Sequence, residues 1–234
     1  MNQRSAAEVL CAARRVWQKA PHMMLRVGRP TLIGDFARYT RHFDLLEVRT
    51  DAGKVPRPKR LRTLRESAPP GFVFSVVLPT ALAQLDLDLA ERDRALAVAE
   101  ALQTDLLVLS TPASVRPGRR TLERLAAVVD TFAGHRLVWE PTGLFDQHTA
   151  ARAARDVGVS LVRDLSREAI GPGDVVYTRV KSLGRGGRVS ASVVDRLVDK
   201  LDGQDAAYVI IDGNGAIGVA RELRTMLGAE EEES

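Results

Sequence analysis

The sequence predicts one α/β domain, a single (β/α)8 barrel of the TIM type, with an additional N-terminal helix. Eight short apolar segments recur along the 234 residues, each nearly continuous in hydrophobicity, as strands buried on both faces must be. Stretches with the helical spacing of apolar residues lie between most of them. This alternation implies parallel strands joined by right-handed crossovers, and eight such units in about 200 residues match the lower size range of the barrel.

The expected elements follow from hydrophobic periodicity and from the glycine and proline residues between them. The expected strands span residues 25–28, 45–48, 72–78, 106–109, 137–139, 160–162, 175–179 and 207–211. The expected helices span residues 31–42, 58–67, 91–102, 119–133, 146–156, 190–201 and 215–227. The sixth connection, 165–171, is too short for more than a turn or two. An open doubly wound sheet is the alternative, but the first strand-to-helix turn, Arg29-Pro30-Thr31, lacks the glycines of a dinucleotide cradle.

We expect the chain to consist of three regions. Residues 1–22 hold an amphipathic helix that ends at Pro21, residues 23–228 form the barrel, and residues 229–234 form an acidic tail that we expect to be disordered. Hydrophobic residues make up 45% and charged residues 27%, which is typical of a globular protein.

The composition also restricts the cellular setting. No segment approaches the roughly 18 consecutive apolar residues of a membrane span, and Glu8 interrupts any signal-peptide core. The single cysteine, Cys11, permits neither an internal disulfide nor a cysteine metal site. We therefore expect a cytoplasmic protein with no membrane partner.

Five segments carry a family resemblance. They are YTRHFDLLEV (39–48), PPGFVFSV (69–76), VWEP (138–141), VVYTR (175–179) and IDGNG (211–215). In this order they resemble the segments YARHFDTVEIN, PPGFRFAVK, FEPRH, FVYVRLHG and FNND of the bacterial and archaeal proteins with domain of unknown function 72, the YecE-like family. The resemblance covers about residues 24–227. It implies a barrel but no particular reaction.

The match is partial. Four polar residues agree with the family segments: Glu47, Glu140, Tyr177 and Arg179. Other hallmarks are replaced, with Arg49 in place of an asparagine and Thr142-Gly143 in place of an Arg-His pair. The resemblance therefore implies a divergent member whose site is altered or lost.

Two carboxylates are the catalytic candidates. Ligands bind such barrels at the carboxyl ends of the strands, which places Glu47 and Glu140 across the mouth from each other. A carboxylate pair provides a general acid and a general base when the two surroundings favour opposite protonation states. The alternative is a structural network in which each carboxylate forms an ion pair with Arg49, Arg163 or Arg179.

Glycine-rich loops after the seventh and eighth strands, residues 184–188 and 212–215, predict an anion site. Barrels often bind phosphate between these loops through backbone N–H groups and a helix N-terminus. The candidate anion and ligand residues are Arg49, Tyr177, Arg179, Lys181, Gly186, Gly213, Asn214 and Gly215. Such loops can also be simple turns.

The expected function is binding or hydrolysis of an anionic, phosphate-bearing small molecule at the carboxyl end of the barrel. We expect no transition-metal site, because no histidine cluster accompanies the carboxylates. A Mg²⁺ site made of oxygen ligands alone stays open as an alternative, and the sequence identifies no cofactor. Two alternatives stay open: a degenerate, non-catalytic barrel that acts as a binding or scaffold protein, and a non-specific nucleic-acid binder that uses its basic rim. Aromatic residues make up only 5% of the chain, so platforms for base stacking are few.

Overall fold

The computed structural model describes residues 23–51, 55–182, 187 and 189–228; the expected N-terminal helix and acidic tail lie outside these ranges. The strands are β1 (Met24–Arg29), β2 (Leu45–Arg49), β3 (Val73–Val77), β4 (Leu106–Thr111), β5 (Arg136–Pro141), β6 (Ser160–Leu161), β7 (Val176–Lys181) and β8 (Ala206–Asp212). The helices in the same ranges are α1 (Phe36–Thr40), α2 (Pro58–Glu66), α3 (Thr80–Ala83), α4 (Leu89–Ala101), α5 (Arg119–Thr131), α6 (Gln147–Val157), α7 (Ala191–Leu201) and α8 (Ala216–Leu227).

The strands form one parallel sheet in the order β6-β5-β4-β3-β2-β1-β8-β7. The two ends of this sheet meet at a parallel bridge between Arg163 and Thr178. There the Arg163 N–H donates to the Tyr177 carbonyl at 3.3 Å, and the Arg179 N–H donates to the Arg163 carbonyl at 3.2 Å. The sheet therefore closes into a barrel, which confirms the predicted fold and removes the open-sheet alternative.

The first helix is shorter than periodicity predicts. It begins at Phe36 because the Asp35 side chain accepts a hydrogen bond from the Arg38 N–H at 2.7 Å and caps the helix. The preceding residues, including Leu32 and Ile33, form an exposed loop. The short helix α3 was not predicted, whereas the turns between β6 and β7 agree with the expected short connection.

Two apolar layers result from the alternation of side chains along each strand. The inner layer fills the barrel and includes Leu45, Val108, Val138 and Tyr208. The outer layer, which includes Trp139, packs against the helices. Within the described ranges, no helix is long and apolar enough to cross a bilayer.

Candidate functional site

Charged side chains form the layer above the apolar interior of the barrel. Glu47, Glu140 and Arg179 each lie two residues beyond an inner-layer residue of the same strand, namely Leu45, Val138 and Tyr177. Because side chains alternate along a strand, all three point into the barrel at its carboxyl end. Strands β2, β5 and β7 thus bring two carboxylates and one guanidinium together.

Arg179 and Glu47 form a bidentate pair. Arg179 Nη1 donates to Glu47 Oε2 at 2.8 Å, and Nη2 donates to Oε1 at 2.6 Å. The Tyr177 hydroxyl also donates to Oε1, at 2.7 Å, and lies 3.2 Å from Ser75 Oγ. The exposed fractions of the Arg179 and Glu47 side chains are 6% and 0%. Both oxygens of Glu47 are therefore engaged, and the carboxylate holds the guanidinium in place.

Glu140 occupies the other side of the same guanidinium. Arg179 Nε lies 3.0 Å and 3.1 Å from the two carboxylate oxygens of Glu140. Ser110 Oγ donates to Oε2 at 3.1 Å, and Lys181 Nζ lies 3.5 Å from Oε1. The side chain of Glu140 is 12% exposed and that of Lys181 is 57% exposed. The solvent-facing edge of the network thus consists of Glu140 and Lys181.

The surroundings fix two of the protonation states. Burial tends to lower the pKa of Arg179, but the negative charges of Glu47 and Glu140 outweigh burial, so the pKa is raised and the guanidinium stays charged. Burial, followed by the charge of Glu47, raises the pKa of Tyr177 well above its usual value, so the hydroxyl stays a neutral donor. With Lys181 included, the formal charges of the two cations and two carboxylates sum to zero.

The loop after β8 lies directly against the loop after β7. A Cβ atom on Gly213 would lie 2.7 Å from the Ser182 Cβ, so only glycine allows this approach. The Asn214 N–H donates to the Gly187 carbonyl at 3.2 Å. Gly215 caps α8 with a φ of 79°, a conformation that favours glycine.

The other predicted ligand residues are placed differently. Lys181 pairs in register with Asp212 at the end of β8, beside the loop that contains Gly213. Arg49 is exposed at the end of β2 and makes no ion pair with any residue that the structure describes. Gly186 lies outside the described residues. The structure therefore brings Glu47, Glu140, Tyr177, Arg179 and Lys181 into one network and leaves Arg49 outside it.

Ser75 and Ser110 also belong to the network, although neither was predicted to be a catalytic or ligand-binding residue. Each is a small polar residue after apolar residues of its strand, in VFSVV of β3 and in LLVLST of β4, where Thr111 follows Ser110. Their inward position follows from the alternation that places Val77 and Val108 inside the barrel. A small polar residue at an inner position near the end of a strand was thus the signal in the sequence.

Solved structures of other proteins share this barrel. A domain of unknown function 72 protein from Enterococcus faecalis V583 superposes with a TM-score of 0.67 at 14% identity, covering 89% of this chain and 99% of that one. One from Thermotoga maritima MSB8 gives 0.66 at 15% identity, covering 88% and 99%. The chain shares the fold of these proteins. An L-ribulose 3-epimerase is less similar, with a TM-score of 0.57 at 17% identity, covering 88% and 94%.

No family model and no curated protein matches the sequence. The structures with domain of unknown function 72 confirm the resemblance suggested by the five sequence segments at the level of the fold. At 14% and 15% identity these structures show a common fold and no residue roles.

An open groove of about 740 Å³ lies at the opposite end of the barrel. It is lined along α4 and the following turn by residues that include Leu96, Glu100, Asp105 and His135. Its acidic side chains do not suit an anionic ligand. Within the described ranges, no group of three or more histidine, cysteine, aspartate or glutamate residues is arranged to hold a metal ion.

Two buried tyrosines predict a loss of stability at alkaline pH. Burial raises the pKa of Tyr39 and of Tyr177 above the usual value, whereas tyrosines of the unfolded chain ionise near pH 10. Each contributes stability that is fully present below about pH 10 and lost as the pH rises toward the raised pKa. The free energy of unfolding should therefore fall above about pH 10, by about 1.4 kcal/mol per pH unit for each tyrosine.

Urea unfolding at a series of alkaline pH values measures this slope. Tyr39→Phe and Tyr177→Phe should each remove one tyrosine's contribution to the slope. An identical slope in the wild type and both variants would contradict the assignment.

Proposed function

We propose that the protein binds an anionic, phosphate-bearing small molecule at the carboxyl end of the barrel and that Lys181 contacts the anion. The observation that carries this proposal is the position of Lys181, an exposed ammonium at the rim of a buried network. Arg179 is occupied by two carboxylates, so at the described ends of β2, β5 and β7 the cations left to meet a ligand are Lys181 and the exposed Arg49. An anion entering the mouth would meet the Lys181 ammonium on β7 and the Arg49 guanidinium on β2, with the exposed Asp212 at the end of β8 as the carboxylate that it must avoid.

The loop after β8 supports a phosphate position beside Lys181. Gly213 and Gly215 carry no side chains that would block the approach of a ligand to the backbone. They lead into α8, a helix of 12 residues, whose N-terminus favours negative charge through its free N–H groups and its dipole. We include Gly186, Asn214 and Tyr177 in the proposed site, Tyr177 as the residue that orients Glu47.

Hydrolysis would require a proton-transfer group, and Glu140 is better placed for it than Glu47. The Glu140 side chain reaches solvent at the mouth, whereas the Glu47 side chain is fully buried. We therefore propose Glu140 as the general acid or base. The proposed role of Glu47 is to fix Arg179, which in turn fixes Glu140.

A thermal-shift screen tests the proposal with phosphate, sulfate, sugar phosphates, nucleotides and oligonucleotides. A ligand present at 100 times its dissociation constant stabilises the folded state by about 2.7 kcal/mol. Lys181→Ala should weaken binding by about 10- to 100-fold, because a hydrogen bond to a charged group contributes about 1.5–3 kcal/mol.

Lys59→Ala is the matched control, since Lys59 is also an exposed lysine but lies on α2, outside the network. Equal binding by Lys181→Ala and Lys59→Ala would reject the proposed contact. Stabilisation by oligonucleotides alone, weakening steeply with added salt, would instead favour nucleic-acid binding by the exposed arginines of the rim.

A second candidate function is binding without turnover. The observation that favours it is the complete engagement of Glu47, which prevents the two carboxylates from acting as a free acid–base pair. Mass spectrometry of a bound phosphate ester after long incubation distinguishes the two. Hydrolysis that Glu140→Gln abolishes, with binding retained, indicates an enzyme, and an unchanged ester indicates a binding protein.

A further inference from the structure

Large apolar side chains that are exposed collect at the carboxyl end of the barrel. Among the described residues they are Leu32, Ile33, Leu87, Leu89, Leu144, Ile217 and Met226. The first six lie in loops that follow strands or in the first turns of the helices after them, and only Met226 lies at the other end, in the last turn of α8. Single exposed apolar residues are ordinary, but their concentration around the mouth that holds the charged network is not explained by the fold.

Three of these residues are neighbours of the proposed anion site. Lys181 pairs in register with Asp212, so the end of β7 lies beside the start of α8, which carries Ile217. Strand β1 pairs with the other side of β8, Gly28 with Ile210, so the loop after β1 is next around the mouth. That loop carries Leu32 and Ile33, which are 37% and 57% exposed. Around the rim, in the order β7, β8 and β1, lie Lys181, then the N-terminus of α8 with Ile217, then the loop with Leu32 and Ile33. We call Ile217, Leu32 and Ile33 the aliphatic arc.

We infer that the ligand of this site is an amphipathic anion, a phosphate ester that carries a hydrocarbon group. The phosphate binds at Lys181 and the start of α8, and the hydrocarbon group covers Ile217, Leu32 and Ile33. This inference rests on the proposed function. Inorganic phosphate or a hydroxyl-rich sugar phosphate would leave the aliphatic arc in water, whereas a hydrocarbon group removes it from water.

The test is titration calorimetry with methyl, butyl and hexyl phosphate, which share one charged head group. If the chain lies on the aliphatic arc, each buried methylene should lower the dissociation constant about fourfold. Ile33→Ser and Ile217→Ser should flatten this dependence while leaving the affinity for methyl phosphate unchanged. Met226→Ser is the matched control, because Met226 lies on the same helix as Ile217 with a similar exposed fraction, 48% against 43%, but at its opposite end.

Each outcome decides one question. Equal affinity for all three esters overturns the amphipathic ligand and leaves the proposed function standing. Binding of none of them also overturns the amphipathic ligand, and the thermal-shift screen with sugar phosphates and nucleotides then decides the proposed function separately. A chain-length dependence that survives in Ile33→Ser and Ile217→Ser overturns the assignment of the hydrocarbon group to this arc. Sedimentation with phosphatidic acid vesicles then separates the two sources of such an ester: binding to vesicles assigns a lipid, and binding only to the soluble esters assigns a free metabolite.

Discussion

Replacing Arg179 by methionine should lower the free energy of unfolding by about 3–5 kcal/mol, because removal of one partner of a buried ion pair leaves an uncompensated charge. Two carboxylates depend on this guanidinium, and their side chains are only 0% and 12% exposed. Water cannot replace the lost hydrogen bonds of Glu47 without opening the barrel. Urea unfolding near neutral pH measures the effect.

A second substitution separates lost charge compensation from lost packing. In Arg179→Met/Glu47→Gln the fully buried negative charge is gone, so this double variant should be more stable than Arg179→Met by at least about 1 kcal/mol. Arg49→Met is the matched control, because Arg49 is an exposed arginine at the end of β2, and it should change stability by less than about 0.5 kcal/mol. Similar losses of stability for Arg179→Met and Arg49→Met would show that the buried ion pairs of Arg179 contribute nothing to stability.

The positions of the two carboxylates could be predicted from the sequence, but their partner could not. Glu47 and Glu140 follow buried strands, and the ends of parallel strands converge at one end of a barrel. Choosing among Arg49, Arg163 and Arg179 requires knowing which residues face inward. Arg163 follows the inner-layer residue Val162 directly, so it points outward. There it donates to the Gln147 carbonyl and pairs with Glu168.

When both faces of a strand are buried, the sequence rarely shows which of its alternating side chains point into the barrel. In β2 and β7 the first inward residues, Leu45 and Tyr177, are as apolar as the outward residues beside them, and only the later inward residues are charged, so the alternation covers too few positions to identify the inward set. Arg49 and Arg179 both lie at inward positions, two residues beyond Glu47 and Tyr177, and they differ in burial, since Arg49 is exposed and Arg179 is buried. The fold was therefore easier to predict than the contacts within its mouth.

The predicted start of α1, residue 31, was wrong for a different reason. Leu32 and Ile33 fit the helical spacing of apolar residues, which extended the predicted helix back to residue 31. In the structure both side chains are exposed and the helix starts after Asp35. Periodicity assumes that an apolar side chain is buried by the fold itself. It fails at Leu32 and Ile33, because the fold leaves both side chains exposed in the loop before the helix.

The close approach of β1 and β2 depends on the absence of a side chain at Gly28. The two strands pair at Gly28 and Leu45. A Cβ atom on Gly28 would lie 1.9 Å from the Leu45 carbonyl oxygen and 2.8 Å from the Leu45 Cβ. The same carbonyl accepts a hydrogen bond from the buried Tyr39 hydroxyl at 2.6 Å, so it cannot move without breaking a second contact.

Gly28→Ala should therefore lower the free energy of unfolding by about 3 kcal/mol or more, at the upper end of the cost of overpacking, because the obstacle is backbone rather than a movable side chain. Gly218→Ala should change the free energy of unfolding in the opposite direction. Gly218 lies inside α8 with no atom within 4 Å of an added Cβ, and alanine there should stabilise the protein by about 0.5–1 kcal/mol through its higher helix propensity. Urea midpoints of the two variants should fall on opposite sides of the wild type, and a Gly28→Ala protein within about 1 kcal/mol of wild type would contradict the geometry of β1 and β2 on which the mouth of the barrel depends.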